Sequence, residues 1–125
     1  MTNALLLKLC AAHSFGFAVF HLAFWKLFRW KQDLQQASFS TRVIVQILNL
    51  RLVYVFFAIG ALCLAFPGEL AGTEMGKAIL AGMSLFWVGR TIEQLVFLRH
   101  DRPMIHALTA AFVIGAILFV LPITD

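Results

Sequence analysis

The residues of this chain that could do chemistry begin with an arginine and a glutamate inside an apolar stretch. The stretch is FWVGRTIEQLVF, residues 86–97, and it holds Arg90 and Glu93 three positions apart. On a helix this spacing puts both side chains on one face, where they can form an ion pair. Because an arginine stays protonated, Arg90 would be a fixed anchor for a carboxylate, a phosphate or a quinone-like carbonyl. Glu93 would neutralise that charge or carry a proton.

A second arginine, Arg51, lies inside another apolar stretch. The helical rise places Arg51 and Arg90 each roughly 13 Å below one membrane surface. One glutamate does not neutralise two arginines, and an unpaired charge in a low-dielectric medium is costly, so an intramembrane charge points to function. We therefore predict a site for a small anionic or amphipathic ligand, such as a lipid headgroup, a quinone-like molecule or an organic anion. The predicted ligand-binding residues are Arg51, Arg90, Glu93, Tyr54, Asn49, His21, Gln94 and His106.

The composition indicates where these residues must sit. Hydrophobic residues make up 62% of the 125 residues, and charged residues only 13%. Soluble domains carry about 45–50% apolar and about 25% charged residues. The composition is therefore typical of an integral membrane protein, and the lipid bilayer is its expected partner. The net charge of +4 does not indicate nucleic-acid binding, because the basic residues flank apolar runs as membrane anchors do.

Four apolar runs predict four transmembrane helices, at about 4–25, 43–66, 78–98 and 104–121. Each run has about the 17–25 residues that a spanning helix needs. We expect an all-α fold: one antiparallel, up-and-down four-helix bundle that forms a single domain over residues 1–125. The first run is predicted to be a span rather than a cleaved signal peptide, because it is long and is followed by basic and aromatic residues.

The residues between the runs predict where the helices begin and end. Ser40 or Thr41 would cap the second helix, and Pro67 with Gly68 would end it. Thr73 would cap the third helix. Asp101 followed by Pro103 predicts the start of the fourth.

The basic residues predict the orientation of the bundle. The loops 26–42 and 99–103 carry six lysines and arginines, and the remaining loop carries only one: Lys26, Arg29, Lys31, Arg42, Arg99 and Arg102 against Lys77. By the positive-inside rule, loops 26–42 and 99–103 are cytoplasmic and both termini lie on the outer side. A multi-pass protein of the bacterial inner (plasma) membrane is the expected localisation.

Two other functions remain open at this stage. The chain would be a non-catalytic accessory subunit of a membrane complex if its polar residues only fix how the helices pack. It would be a b-type haem or other membrane redox protein if two histidines faced each other at one depth, and His21 with His106 is the pair that comes nearest. A zinc site at His100, Asp101 and His106 matches no recognised spacing, so no metal site is predicted.

The sequence assigns neither a cofactor nor a catalytic group. It contains no Ser-His-Asp arrangement, no glycine-rich phosphate loop and no pair of carboxylates that would act together. Cys10 and Cys63 form no CxxC motif, and small buried side chains are the expected role for both. In size and span count the chain is similar to small bacterial four-helix membrane proteins, including the fluoride-channel, small-multidrug-transporter and DoxX-like families. No residue role follows from that architecture, and a homodimer or a larger membrane complex is the expected assembly if the chain transports its ligand.

Overall fold

A computed structural model describes residues 2–98 and 101–124. Arg99 and His100, which entered the predictions of orientation and of a zinc site, lie outside the described residues. The described chain is helical and contains no strand, which confirms the predicted all-α class. Its helices are α1 (Asn3–Leu22), α2 (Phe24–Leu27), α3 (Trp30–Asp33), α4 (Phe39–Ala65), α5 (Pro67–Gly72), α6 (Glu74–Phe97) and α7 (Pro103–Val120), with 3₁₀ turns at Leu34–Gln36 and Leu121–Ile123.

The segment between α1 and α4 is more structured than the predicted loop 26–42. The first helix ends at Leu22, and α2 and α3 follow as single turns. Arg29 separates them with φ 51° and ψ 46°, a left-handed conformation that L-residues adopt only at a cost. Ser38 begins α4 because its hydroxyl accepts a hydrogen bond from the Thr41 amide at 3.3 Å. The predicted caps, Ser40 and Thr41, were therefore wrong by two and three residues.

The segment between α4 and α6 confirms one predicted cap and one predicted helix end. The Thr73 hydroxyl accepts a hydrogen bond from the Gly76 amide at 3.0 Å, as a helix N-cap does. Pro67 with Gly68 was predicted to end the second helix, and α4 does end at Ala65; Pro67 then occupies the first turn of α5. Proline fits there because the first helical amides have no intrahelical acceptor. Similarly, Pro103 lies in the first turn of α7, as predicted.

Three helical segments of the described chain are long and apolar enough to cross a membrane, namely Asn3–Leu22, Phe39–Ala65 and Pro103–Ile123. The 24 residues of α6 exceed the length that a span requires, but the helix is not among these three. Lys77, Arg90 and Glu93 lower its apolar character.

Four polar side chains are buried, and many large apolar side chains are exposed. Ser14, Asn49, Ser84 and Gln94 are all buried. Side chains exposed by half or more include many leucines, isoleucines and phenylalanines along the same helices. Water does not favour this distribution, whereas a hydrocarbon solvent does.

The described residues belong to two compact units. The hairpin unit is Ala11–Leu62, and the split unit is Met1–Cys10 with Cys63–Asp125. In the hairpin unit α1 and α4 approach closely, because a Cβ added at Gly60 would lie 2.7 Å from the Phe15 ring. In the split unit Ser84 of α6 donates a hydrogen bond to the Ala116 carbonyl of α7 at 2.7 Å. The single domain over residues 1–125 stays a prediction.

Candidate functional site

Arg90 is held by groups from two helices of the split unit. Its Nη1 lies 3.7 Å from Oε1 of Glu93, one turn further along α6. Its guanidinium carbon lies 4.7 Å from the centroid of the Phe112 ring on α7, within the range of a cation–π contact. Phe112 in turn stacks on the buried Trp87, with ring centroids 5.6 Å apart and planes 20° from parallel. The arginine is therefore oriented by an aromatic pair and a carboxylate.

The contact between Arg90 and Glu93 is an ion pair and not a hydrogen bond. N–H···O hydrogen bonds span about 2.7–3.2 Å between heavy atoms, and this pair lies beyond that range. The contact with Phe112 is to an aromatic ring, which offers no oxygen or nitrogen acceptor to the guanidinium N–H groups. Neither contact therefore consumes any of the five N–H donors of Arg90. The two side chains are 37% and 59% exposed, so a ligand can reach both.

Gln94 and His106, two further predicted residues, line one polar pocket at the ends of α6 and α7. Gln94 is buried, and its Nε2 donates a long hydrogen bond of 3.4 Å to the Ile105 carbonyl. His106 Nε2 lies 2.7 Å from Asp101 Oδ1. The pocket encloses about 350 Å³ and is lined by Gln94, Leu95, Leu98, Asp101, Ile105, His106 and Thr109.

His21 and Asn49 form a reciprocal pair in the hairpin unit. Asn49 Nδ2 donates to the His21 carbonyl at 2.8 Å, and Asn49 Oδ1 lies 2.8 Å from His21 Nδ1. A carbonyl only accepts, so the amide nitrogen must face it and the amide oxygen must face the ring. Nδ1 of His21 therefore carries a proton. Phe24 and Phe56 pack against this ring at centroid distances of 4.2 and 5.2 Å.

Arg51 and Tyr54 share a face of α4, as the sequence predicts. The guanidinium carbon of Arg51 lies 5.7 Å from the centroid of the Tyr54 ring. Both side chains are exposed, and Tyr54 is 63% exposed. The cation–π contact with Tyr54 therefore partly stabilises the positive charge of Arg51.

The eight predicted residues thus fall into local groups. Arg90 pairs with Glu93, and Gln94 shares a pocket with His106, all within the split unit. His21 pairs with Asn49, and Arg51 with Tyr54, within the hairpin unit. The convergence of Arg51 and Arg90 on one shared site stays a prediction.

Sequence reasoning missed a pocket in the hairpin unit, which we call the aromatic–basic pocket. Its signal was present as the tryptophans interleaved with lysines and arginines after the first apolar run, which we used only as evidence against a cleaved signal peptide. The pocket encloses about 690 Å³, and its described lining contains three cations and no carboxylate. The lining residues are Trp25, Lys26, Trp30, Lys31, Gln35, Arg42 and Gln46.

The two cysteines have the small-side-chain role that the sequence indicates. Cys10 and Cys63 are free thiols and are buried in the split unit. Cys10 Sγ donates to the Leu118 carbonyl at 3.1 Å. Among residues 2–98 and 101–124, no group of three or more His, Cys, Asp or Glu side chains could hold a metal ion.

Comparison of the chain with protein-family models, with curated proteins and with solved structures finds no match in any of the three. The functional proposal is therefore based on the chemistry and geometry of the chain's own residues.

Proposed function

We propose that this chain is a multi-pass membrane protein that binds a small anionic or amphipathic ligand, with Arg90 as the anchor. The ligand would be a lipid headgroup, a quinone-like molecule or an organic anion. The proposal is based on one observation, namely that the Arg90 guanidinium is oriented but makes no hydrogen bond through the contacts that orient it. It is oriented by Phe112 and Glu93, yet neither contact uses its N–H donors as hydrogen bonds.

A guanidinium in this state suits an anionic or carbonyl ligand. Its planar donors match two oxygens of a carboxylate or phosphate at once, which a lysine does not achieve. In the low dielectric of a membrane, donors without partners are costly, so a ligand oxygen that accepts from them is stabilised. Orientation by Phe112 also lowers the entropy that the side chain loses when the ligand binds.

The remaining predicted residues extend this proposal. Arg51 would be the second anchor, and Glu93 would neutralise Arg90 when no ligand is bound or would carry a proton. Tyr54, Asn49, His21, Gln94 and His106 would be neighbours of the ligand. Movement of the ligand across the membrane would require a homodimer or a partner subunit, because four helices enclose little space.

The proposal treats α6 as a fourth span beside α1, α4 and α7. Its length suffices, and its two central charges form a pair, which is how spanning helices tolerate charge. The loops 26–42 and 99–103 would then lie in the cytoplasm of a bacterial cell, with both termini outside. A reporter fused to the C-terminus tests this orientation, because activity on the cytoplasmic side would contradict it.

A second function is favoured by the contact between Arg90 and Phe112. That contact joins α6 to α7, so the charge would fix helix packing in a non-catalytic accessory subunit. A haem or other redox protein is the third alternative. A visible absorption spectrum of the purified chain tests it directly.

Substitution of Arg90 by leucine separates ligand binding from a packing role. We expect Arg90→Leu to keep most of the thermal stability and to lose an anionic species that co-purifies with the wild type, as shown by mass spectrometry. Arg51→Leu should weaken the same binding. Lys77→Leu, at the other end of α6, is the matched control and should retain the ligand. If the wild type carries no ligand and both arginine variants misfold, Arg90 is a packing residue.

A further inference from the structure

The aromatic–basic pocket is a second candidate ligand site, built from residues other than those around Arg90. We propose that it binds a lipid headgroup that carries two phosphates. Lys26, Lys31 and Arg42 line it without any carboxylate among the described lining residues.

The wall of this pocket is fixed by side-chain hydrogen bonds. Trp25 Nε1 donates to Gln46 Oε1 at 2.8 Å, and Gln46 Nε2 donates to the Arg42 carbonyl at 3.0 Å. The amide of Gln46 is therefore occupied at both ends, and it ties the Trp25 indole to α4. Trp30 packs edge-to-face on Trp25 with ring centroids 5.2 Å apart. A wall held in this way does not have to be ordered when a ligand enters.

The left-handed turn at Arg29 positions the opposite side of the pocket. Arg29 separates α2 from α3, and Trp30 and Lys31 after it line the same pocket as Trp25 and Lys26 before it. A non-glycine residue in this conformation costs roughly 1–2 kcal/mol. Strain of this kind persists where the surrounding structure or a function requires it.

The positive charge of the hairpin unit indicates how many phosphates the ligand carries. Residues 11–62 contain five lysines and arginines, and their one carboxylate, Asp33, is exposed and does not line the pocket. A single phosphodiester would neutralise only one of the three lining cations. Two phosphates, each contacted by one or two cations, match the lining more closely.

The size of the pocket points the same way. A phosphate group occupies roughly 100–150 Å³ on the scale of about 30 Å³ per water molecule. The open pocket of about 690 Å³ has room for two such groups and the glycerol between them.

Its surroundings favour a lipid over a free anion. Two tryptophans line it, and tryptophan is the residue that concentrates at the level of lipid headgroups. Leu27 and Phe28, next to the pocket in sequence, are 52% and 37% exposed, so acyl chains have apolar surface to contact. Basic pockets at helix ends on the cytoplasmic side are known to bind lipids of this charge.

The test uses the full chain in nanodiscs of neutral lipid that contain either cardiolipin, which has two phosphates, or phosphatidylglycerol, which has one. With the lipid phosphate content matched, we expect cardiolipin to bind at least about fivefold more tightly, the effect of one additional basic residue engaged at the surface. Lys26→Gln, Lys31→Gln and Arg42→Gln should each remove most of that preference. Arg102→Gln removes the same charge from an exposed residue that does not line the pocket, and it should keep the preference.

Two results would overturn the proposal. Equal affinity for the two lipids, or an equal loss in Arg102→Gln and the pocket variants, would mean that the surface attracts anions without a site. Full displacement of cardiolipin by soluble pyrophosphate would mean that the pocket recognises a free anion and not a lipid. Neither result bears on Arg90, whose role is tested by the separate leucine variant.

Discussion

Replacement of Asn49 by alanine is expected to weaken the hairpin unit by an amount that its hydrogen bonds determine. Asn49 is 4% exposed and makes two bonds of 2.8 Å to His21, one to the ring and one to the backbone carbonyl. A hydrogen bond contributes about 1 kcal/mol net, and about 0.6 kcal/mol on average between membrane helices. Removal of both also takes these partners away from part-buried polar groups of His21. We therefore expect Asn49→Ala to lower the free energy of unfolding by about 2 kcal/mol.

The assay is reversible unfolding of the purified chain by SDS in detergent micelles, followed by far-ultraviolet circular dichroism. His21→Phe keeps an aromatic ring against Phe24 and Phe56 but removes the ring donor, so it should lose only about 1 kcal/mol. Leu48→Ala is the control, because Leu48 is 59% exposed on the same helix and should cost about 0.5 kcal/mol or less. Asn49→Ala within about 0.5 kcal/mol of the wild type would refute the reasoning.

Four other substitutions, each measured by the same SDS unfolding assay, are expected to change the free energy of unfolding, two by lowering it and two by raising it. Gly76→Ala should destabilise the split unit by about 1–3 kcal/mol, because its new Cβ would lie 2.5 Å from the Leu70 Cα. Gly82→Ala, on the same helix with nothing within 4 Å, should instead stabilise it by up to about 1 kcal/mol. Thr73→Ala removes the cap of α6 and should cost about 1 kcal/mol, and equal stability would mean that the cap contributes nothing. Arg29→Gly relieves the left-handed backbone and should stabilise the hairpin unit by up to about 1 kcal/mol, whereas a loss would show that the Arg29 side chain is needed.

The sequence predicts helices well where hydrophobic runs and caps agree. The all-α class, the cap at Thr73 and the proline at the start of α7 follow from local chemistry that no distant contact opposes. Pairs three residues apart on one helix were equally accessible, since helical geometry alone brings Arg90 to Glu93 and Arg51 to Tyr54.

Contacts between helices could not be predicted from the sequence in the same way. Spacing within α6 does not reveal that Phe112 of α7 covers Arg90. Similarly, no local signal indicates that Asn49 would bind His21. The aromatic–basic pocket depends on the left-handed backbone at Arg29, and arginine carries no preference for that conformation from which it could be predicted.

The central claim is that this chain binds an anionic or amphipathic ligand through Arg90. Native mass spectrometry of the wild type and of Arg90→Leu, both extracted gently from the same membrane, tests it most directly. We predict an adduct of defined mass on the wild type that is absent from Arg90→Leu while the leucine variant remains folded. A wild-type chain that carries no adduct other than a lipid lost in Lys31→Gln, or a persistence in Arg90→Leu of an adduct that Lys31→Gln retains, would contradict the claim.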